Sequence, residues 1–170
     1  MPTITNYTPT QIQAMSVTEF KRLSSAEMKL MDSADIKVMS TVQIQAMTTR
    51  NWSVLTSSQI KEFDVTAFDD GITYDKLSII SRSQVSGLTS AQIAALGPSQ
   101  ITWINTRSLA TLATDKLQEI TAEAFGALTT AQIHALTTGQ IEKLTSKQID
   151  ALKTEQLQTL NAKQAAKLTQ

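Results

Sequence analysis

The chain has 170 residues, with 15 basic and 15 acidic side chains and no cysteine. The balanced charge favours neither nucleic acid nor an anionic membrane surface, and the lack of cysteine excludes disulfides and thiolate metal sites. No stretch approaches the roughly 20 apolar residues of a membrane span, and the opening MPTITNYTPT lacks the basic and apolar regions of a signal peptide. We therefore expect neither membrane insertion nor a nucleic-acid partner.

From the N-terminus onward, an apolar residue recurs at every eighth position. A first series of octapeptides starts with Tyr7, and its last member starts with Leu55. One nine-residue repeat follows at 63–71. A second series of octapeptides then runs from the one that starts with Ile72 to the one that starts with Leu160. Twenty repeats thus cover residues 7–167, with a one-residue insertion near 69–71. This regularity predicts a single repeat array over residues 1–170.

Within each repeat, three positions follow a helix-start pattern. The second residue is of a helix-capping type in eighteen of twenty repeats, the fifth is most often Gln or Glu, and the sixth is always apolar. In LTTAQIHA, residues 128–135, Thr129 and Gln132 form a predicted capping box, and Leu128 and Ile133 a predicted hydrophobic staple. Each repeat is therefore expected to begin a new helix of about six residues.

The alternatives to short helices fail on geometry. In one continuous helix, eight residues at about 100° each would rotate the apolar pair by roughly 80° per repeat and spread it around the cylinder. In a strand, the first and sixth positions would face opposite sides of the sheet. Because helices this short do not persist alone, we predict an all-α solenoid of about twenty capped helices that share a core of first and sixth residues.

The eighth position indicates the number of helices in each coil of the solenoid. Every third repeat has an apolar residue there, namely Leu30, Val54, Ile79, Trp103, Ala127 and Ala151. The other repeats include charged residues such as Arg22 and Lys143 at this position. The pattern favours a 24-residue coil of three helices, and a coil of two helices is the alternative.

The tandem Leu-Thr-x-x-Gln-Ile octapeptides, clearest in LTSAQIAA (88–95) and in residues 128–151, resemble repeat tracts of very large bacterial secreted or cell-surface proteins. The pattern covers nearly the whole chain, although the N-terminal half departs from it, with Met leading four repeats and Trp52 in place of Ile. The resemblance implies a structural or adhesive setting outside the cell. It implies no catalytic residue.

Two groups of residues are weighed as sites. Asp64, Asp69, Asp70 and Asp75 flank Gly71 in and after the nine-residue repeat, and four carboxylates could hold Ca²⁺. Their spacing does not fit an EF-hand loop, so an insertion at a corner, with Gly71 in a left-handed conformation, is the preferred interpretation. His134 is the only histidine and is expected to face solvent. We therefore expect no metal, no cofactor and no catalytic residue.

These observations favour a non-catalytic structural or spacer module of a larger bacterial exported or surface protein. A protein- or glycan-binding solenoid is the alternative, and other domains of the same larger protein are possible partners. A binding module should expose a clustered apolar ridge, whereas a spacer should expose scattered Thr, Ser, Lys and Gln side chains.

The capping pattern can be tested by replacing Thr129, Thr137 and Thr145 together with alanine. Since each cap contributes about 1 kcal/mol, the triple variant should lose more helical circular dichroism and melt at a lower temperature than any of the single variants. An unchanged melting temperature would contradict the capping interpretation.

Overall fold

The computed structural model describes residues 7–168, and these form twenty short α-helices and no strand. The chain is all-α and solenoid-like, as predicted. It divides into two compact units, Met1–Leu88 and Thr89–Gln170. The single array over residues 1–170 stays a prediction. In the described residues, no helix is long and apolar enough to cross a membrane.

The helices have four to seven residues each. In the N-terminal unit they are α1 (Pro9–Ala14), α2 (Val17–Lys21), α3 (Ser25–Leu30), α4 (Ser33–Lys37), α5 (Thr41–Ala46), α6 (Thr49–Ser53), α7 (Ser57–Ile60), α8 (Val65–Gly71), α9 (Tyr74–Leu77) and α10 (Arg82–Gly87). In the C-terminal unit they are α11 (Ser90–Ala95), α12 (Pro98–Trp103), α13 (Thr106–Leu109), α14 (Thr114–Gln118), α15 (Ala122–Ala127), α16 (Thr130–Ala135), α17 (Thr138–Glu142), α18 (Ser146–Asp150), α19 (Thr154–Leu157) and α20 (Ala162–Leu168).

Each helix begins where the repeat pattern predicts. From α1 to α19 the N-cap is the second residue of its repeat, for example Thr8 in α1 and Thr145 in α18. The Thr145 side chain accepts from the Gln148 N–H, and the Gln148 side chain accepts from the Thr145 N–H. This capping box satisfies two backbone donors that a helix leaves unpaired. The extended backbone at each cap turns the chain between helices.

Within each unit, the principal packing contacts join a helix to the third helix after it. In the N-terminal unit the pairs are α1–α4, α2–α5, α3–α6, α5–α8, α6–α9 and α7–α10. In the C-terminal unit they are α11–α14, α12–α15, α13–α16, α14–α17, α15–α18, α16–α19 and α17–α20. Three helices therefore make one coil, as the eighth position predicts, and the two-helix alternative is wrong.

The core consists of the first and sixth residues of the repeats, as predicted. Sixth-position side chains from Ile12 to Ile141 are at most 1% exposed, and first-position side chains from Leu23 to Leu144 are at most 9% exposed. At about 25 cal/mol per Å² of apolar surface removed from water, this burial is the main stabilising term. Because helices of neighbouring coils pack on one another, the burial is shared between repeats, and we expect no repeat to be stable alone.

The nine-residue repeat lengthens a helix instead of forming a corner loop. Helix α8 has seven residues and ends at Gly71, and no described glycine has a positive φ. The left-handed conformation expected for Gly71 is therefore wrong. A Cβ at this position would lie 2.8 Å from Ile44 Cβ, so Gly71 permits the close approach of α8 to α5. Phe63 and Phe68 of this repeat pack with Trp52, and the three ring centroids lie 6.1–6.4 Å apart.

Candidate functional site

Within each unit, glutamines at the fifth position link one coil to the preceding coil. Gln140 is 2% exposed, and its Oε1 accepts from the Thr137 N–H at 2.8 Å. Its Nε2 donates to the backbone carbonyls of Leu109 at 3.1 Å and Leu112 at 2.8 Å. These two carbonyls belong to the preceding coil, at the end of α13 and just after it. One buried amide thus caps its own helix and ties two coils together, with all its polar hydrogens paired.

The same bond recurs along the chain with a constant reach. The glutamines that donate to the leading carbonyl 28 residues earlier are Gln43, Gln59, Gln132, Gln140, Gln148, Gln156 and Gln164. Gln84 reaches back 29 residues, to Leu55, because the nine-residue repeat lies between them. The insertion therefore shifts the register by one residue and preserves the bond.

Asn51 and Lys76 replace glutamine as donors at the fifth position of their repeats. Asn51 Nδ2 donates to the Leu23 carbonyl at 2.7 Å. Lys76, which is 1% exposed, donates from Nζ to the Gln45 carbonyl at 3.1 Å and to the Thr73 hydroxyl at 2.8 Å. Burial lowers the pKa of Lys76, and the neighbouring Asp75 carboxylate opposes this shift. The side chains of Asn51 and Lys76 therefore link their coils to the preceding coil as glutamine does.

Acidic residues occupy the fifth position only near the N-terminus. Glu19 and Glu27 lie in the first described coil, where their carboxylates accept from the backbone N–H groups of Ser16 and Ser24. Asp35 follows in α4 and is 5% exposed, with Oδ2 accepting from the Asp32 N–H and Oδ1 buried without a hydrogen-bond partner. Burial raises the pKa of the Asp35 carboxyl, because an ionised carboxylate is costly to bury when one of its oxygens accepts no hydrogen bond.

The sequence pattern predicted the capping role of these glutamines but not the link between coils. Glutamate caps a helix equally well at this position, yet none occupies the fifth position after Glu27. Residues that can donate a hydrogen bond predominate from Gln43 onward. That preference for a donor over an equally good acceptor is the signal from which the link could have been predicted.

A second, weaker set of links lies on the surface and joins the seventh residue of one repeat to a residue 25 positions later. His134, exposed as predicted, places Nδ1 2.7 Å from the carbonyl oxygen of Thr159. Gln45 and Gln118 donate similarly to the carbonyls of Asp70 and Lys143. The same spacing forms the ion pairs Lys37–Glu62 at 3.3 Å and Glu142–Lys167 at 3.1 Å. Exposed contacts of this kind contribute little individually.

The four aspartates considered as a calcium site have separate local contacts. Asp64 is the N-cap of α8 and accepts from the Ala67 N–H at 3.0 Å, whereas Asp75 accepts from the Thr73 hydroxyl. Asp69 and Asp70 lie in the last turn of α8. In residues 7–168, no group of three or more acidic, histidine or cysteine side chains is arranged to hold a metal ion. The geometry thus gives the calcium hypothesis no support.

Some apolar side chains lie outside the core, most of them in the N-terminal unit. Leu30 and Ile79, at the eighth position of repeats two coils apart, are 62% and 45% exposed, and Val54 between them is half-buried. Tyr74 is 62% exposed. In the C-terminal unit, the eighth-position Trp103 is half-buried. The apolar eighth positions are thus surface features of the coils.

Comparison with known proteins supports the repeat interpretation. Residues 28–64 match the family model of the ALTTAQ repeat, which covers less than half of the chain. The hexapeptide ALTTAQ itself stands at residues 127–132. No curated protein matches the chain. The chain contains a repeat tract similar to the ALTTAQ repeat.

The link between coils can be tested with Gln140→Glu. The variant keeps an acceptor for the Thr137 N–H but loses donation to Leu109 and Leu112, so the free energy of unfolding in urea should fall by about 2–4 kcal/mol at neutral pH. The matched control is Gln11→Glu, because Gln11 is exposed and caps its helix without donating to an earlier described coil. Equal losses in both variants would contradict the link.

Asp35→Asn tests the cost of the buried carboxylate. A carboxyl whose pKa is raised on folding stabilises the fold below its ordinary value of 3.8 and loses that contribution as pH rises through the folded-state pKa. The variant should therefore be more stable than the parent at neutral pH, and the difference should shrink as pH falls towards 3.8. Thermal melts from pH 3 to 8 measure this. The exposed control Asp115→Asn should show no such trend.

Proposed function

We propose that this chain is a non-catalytic spacer module that sets distance and stiffness within a larger bacterial exported or surface protein. The observation that supports the proposal most is the recurrence of the fifth-position bond. Within each unit, successive coils share an apolar core and are joined by buried amides that bridge backbone to backbone. A module built for distance needs the same strong joint at each step, because bending concentrates at the weakest joint.

The surface chemistry fits this role. Outward positions are mainly Thr, Ser, Lys and Gln, and the basic and acidic side chains balance at 15 each. Such a surface offers few of the large apolar patches that mark interaction sites. The resemblance to repeat tracts of large bacterial secreted or surface proteins supports an exported setting.

A second candidate function is a protein- or glycan-binding module, and one observation favours it. Leu30, Val54 and Ile79 lie at equivalent places in their repeats, at or just after the ends of three successively packed helices of the N-terminal unit, α3, α6 and α9. Two of them are more than 40% exposed. A ligand that recognises the module would bury this ridge. The spacer remains our first candidate because the C-terminal unit has no equally exposed ridge at these positions.

Spacing can be tested inside the C-terminal unit, where the absence of cysteine permits specific spin labelling. Copies of residues 128–151 are inserted between Ala127 and Leu128, and nitroxides are attached at Glu123→Cys and Lys147→Cys. Each inserted coil should lengthen the measured distance by about 8–10 Å, the packing distance of two helices, without broadening the distribution.

The matched control pair is Ser99→Cys with Glu123→Cys, since both labels precede the insertion and their distance should not change. A distance that grows irregularly, or a distribution that broadens with each block, would contradict the spacer function.

A further inference from the structure

Asp35 is an acidic residue at a position that elsewhere supplies the donor between coils. Its helix, α4, packs on α1 of the preceding coil. Oδ2 accepts from the Asp32 N–H at 3.1 Å, as glutamine Oε1 does in other repeats. Oδ1 therefore takes the place of the glutamine amide nitrogen, and it is buried without a hydrogen-bond partner.

The register of the repeat identifies the group opposite this oxygen. Asn51 has a side chain of the same length, and its Nδ2 donates at 2.7 Å to the carbonyl of Leu23, 28 residues earlier. Counting back 28 residues from Asp35 gives Tyr7, the half-buried first residue of its repeat. The register thus sets Asp35 Oδ1 against the Tyr7 carbonyl oxygen, two acceptors where other repeats have an N–H and an acceptor.

We propose that this contact is a proton-operated joint, in which Asp35 takes up a proton on Oδ1 and donates it in a hydrogen bond to the Tyr7 carbonyl. A protonated carboxyl has one O–H donor, which replaces the amide N–H, and the proton comes from solvent. Gln43 and Asn51 supply the other two links between the first two described coils, and neither of them titrates. The joint goes beyond the proposed spacer function, because it makes one junction between coils sensitive to pH.

The surroundings of Asp35 favour its protonated form. Burial is the main cause that raises the pKa of its carboxyl, and the like charge of Asp32 raises it further, while the hydrogen bond from the Asp32 backbone opposes the shift. A raised pKa means that the protonated form stabilises the fold, so the link is present below 3.8 and is lost as pH rises through the folded-state pKa. Above that pH, the carboxylate and the carbonyl repel each other and the start of α1 loosens.

The elements packed around α4 bring no cation that replaces the proton. Helix α1 itself, PTQIQA, has no titratable side chain. Lys37 of α4 is exposed and pairs with Glu62 at 3.3 Å, and Glu62 also lies 3.8 Å from Lys61. The other titratable groups on the side of α1 are the Tyr7 phenol and the carboxylates of Glu19 and Glu27, which raise its pKa.

The test follows the two partners by carbon-13 NMR of the full chain between pH 3.5 and 8. The side-chain carboxyl of Asp35 and the backbone carbonyl of Tyr7 should shift together, with one midpoint above 3.8. In Asp35→Asn the Tyr7 carbonyl should not titrate, because the amide donates at every pH. Asp32→Asn is the matched control, since asparagine also caps helices and the Tyr7 titration should persist there.

Hydrogen exchange gives a second readout that does not depend on chemical shifts. At neutral pH the Ile12 and Met15 amides should exchange about tenfold more slowly in Asp35→Asn than in the parent, whereas at pH 4 the two chains should agree. A Tyr7 carbonyl that does not titrate in the parent, or that still titrates in Asp35→Asn, would overturn the proposal.

A metal cation is the rival occupant of this contact. A midpoint that moves when CaCl₂ replaces NaCl at constant ionic strength would assign the contact to a cation and overturn the proposal, whereas an unchanged midpoint supports the proton. The spin-label distances are measured in the C-terminal unit, so the test of the spacer function is independent of these results.

Discussion

The buried amide at the fifth position of the repeat holds this fold together. A helix of four to seven residues cannot persist alone, and its first N–H and last C=O groups need partners. Glutamine supplies an acceptor to the start of its own helix and two donors to the end of a helix in the preceding coil, as Gln140 does. The side chains that join the coils therefore also pair backbone N–H and C=O groups that the ends of the helices leave without partners.

This arrangement explains why the repeat has eight residues and one coil has twenty-four. The cap, the fifth-position amide and the sixth-position apolar residue together define a helix start, and the helix that carries them has about six residues. Two more residues turn the chain and bring the next apolar residue to the core. The nine-residue repeat shows the tolerance of this design. Gln84 reaches back one residue further and keeps its partners, because the extra residue is absorbed in helix α8.

Local chemistry made much of the fold predictable from sequence. Caps such as Thr145 and core residues such as Ile133 follow from rules that act within one repeat, and the structure has them where expected. The link from Gln140 to Leu112 was not predicted, because 28 residues separate the two and the capping role already accounted for the glutamine. The conformation of Gly71 was mispredicted for a related reason. Its role is set by close packing against Ile44, a contact that no local pattern shows.

The direction of the fifth-position bond has a consequence for biosynthesis. Each amide reaches back towards residues nearer the N-terminus, as Gln59 does to Met28 and Met31. A coil that leaves the ribosome therefore meets acceptors that are already outside the tunnel, and it can order itself against them without waiting for the rest of the chain. Synthesis from the N-terminus suits such an architecture. The segment of new chain that has not yet packed stays short, so few apolar side chains are exposed to aggregation at any moment.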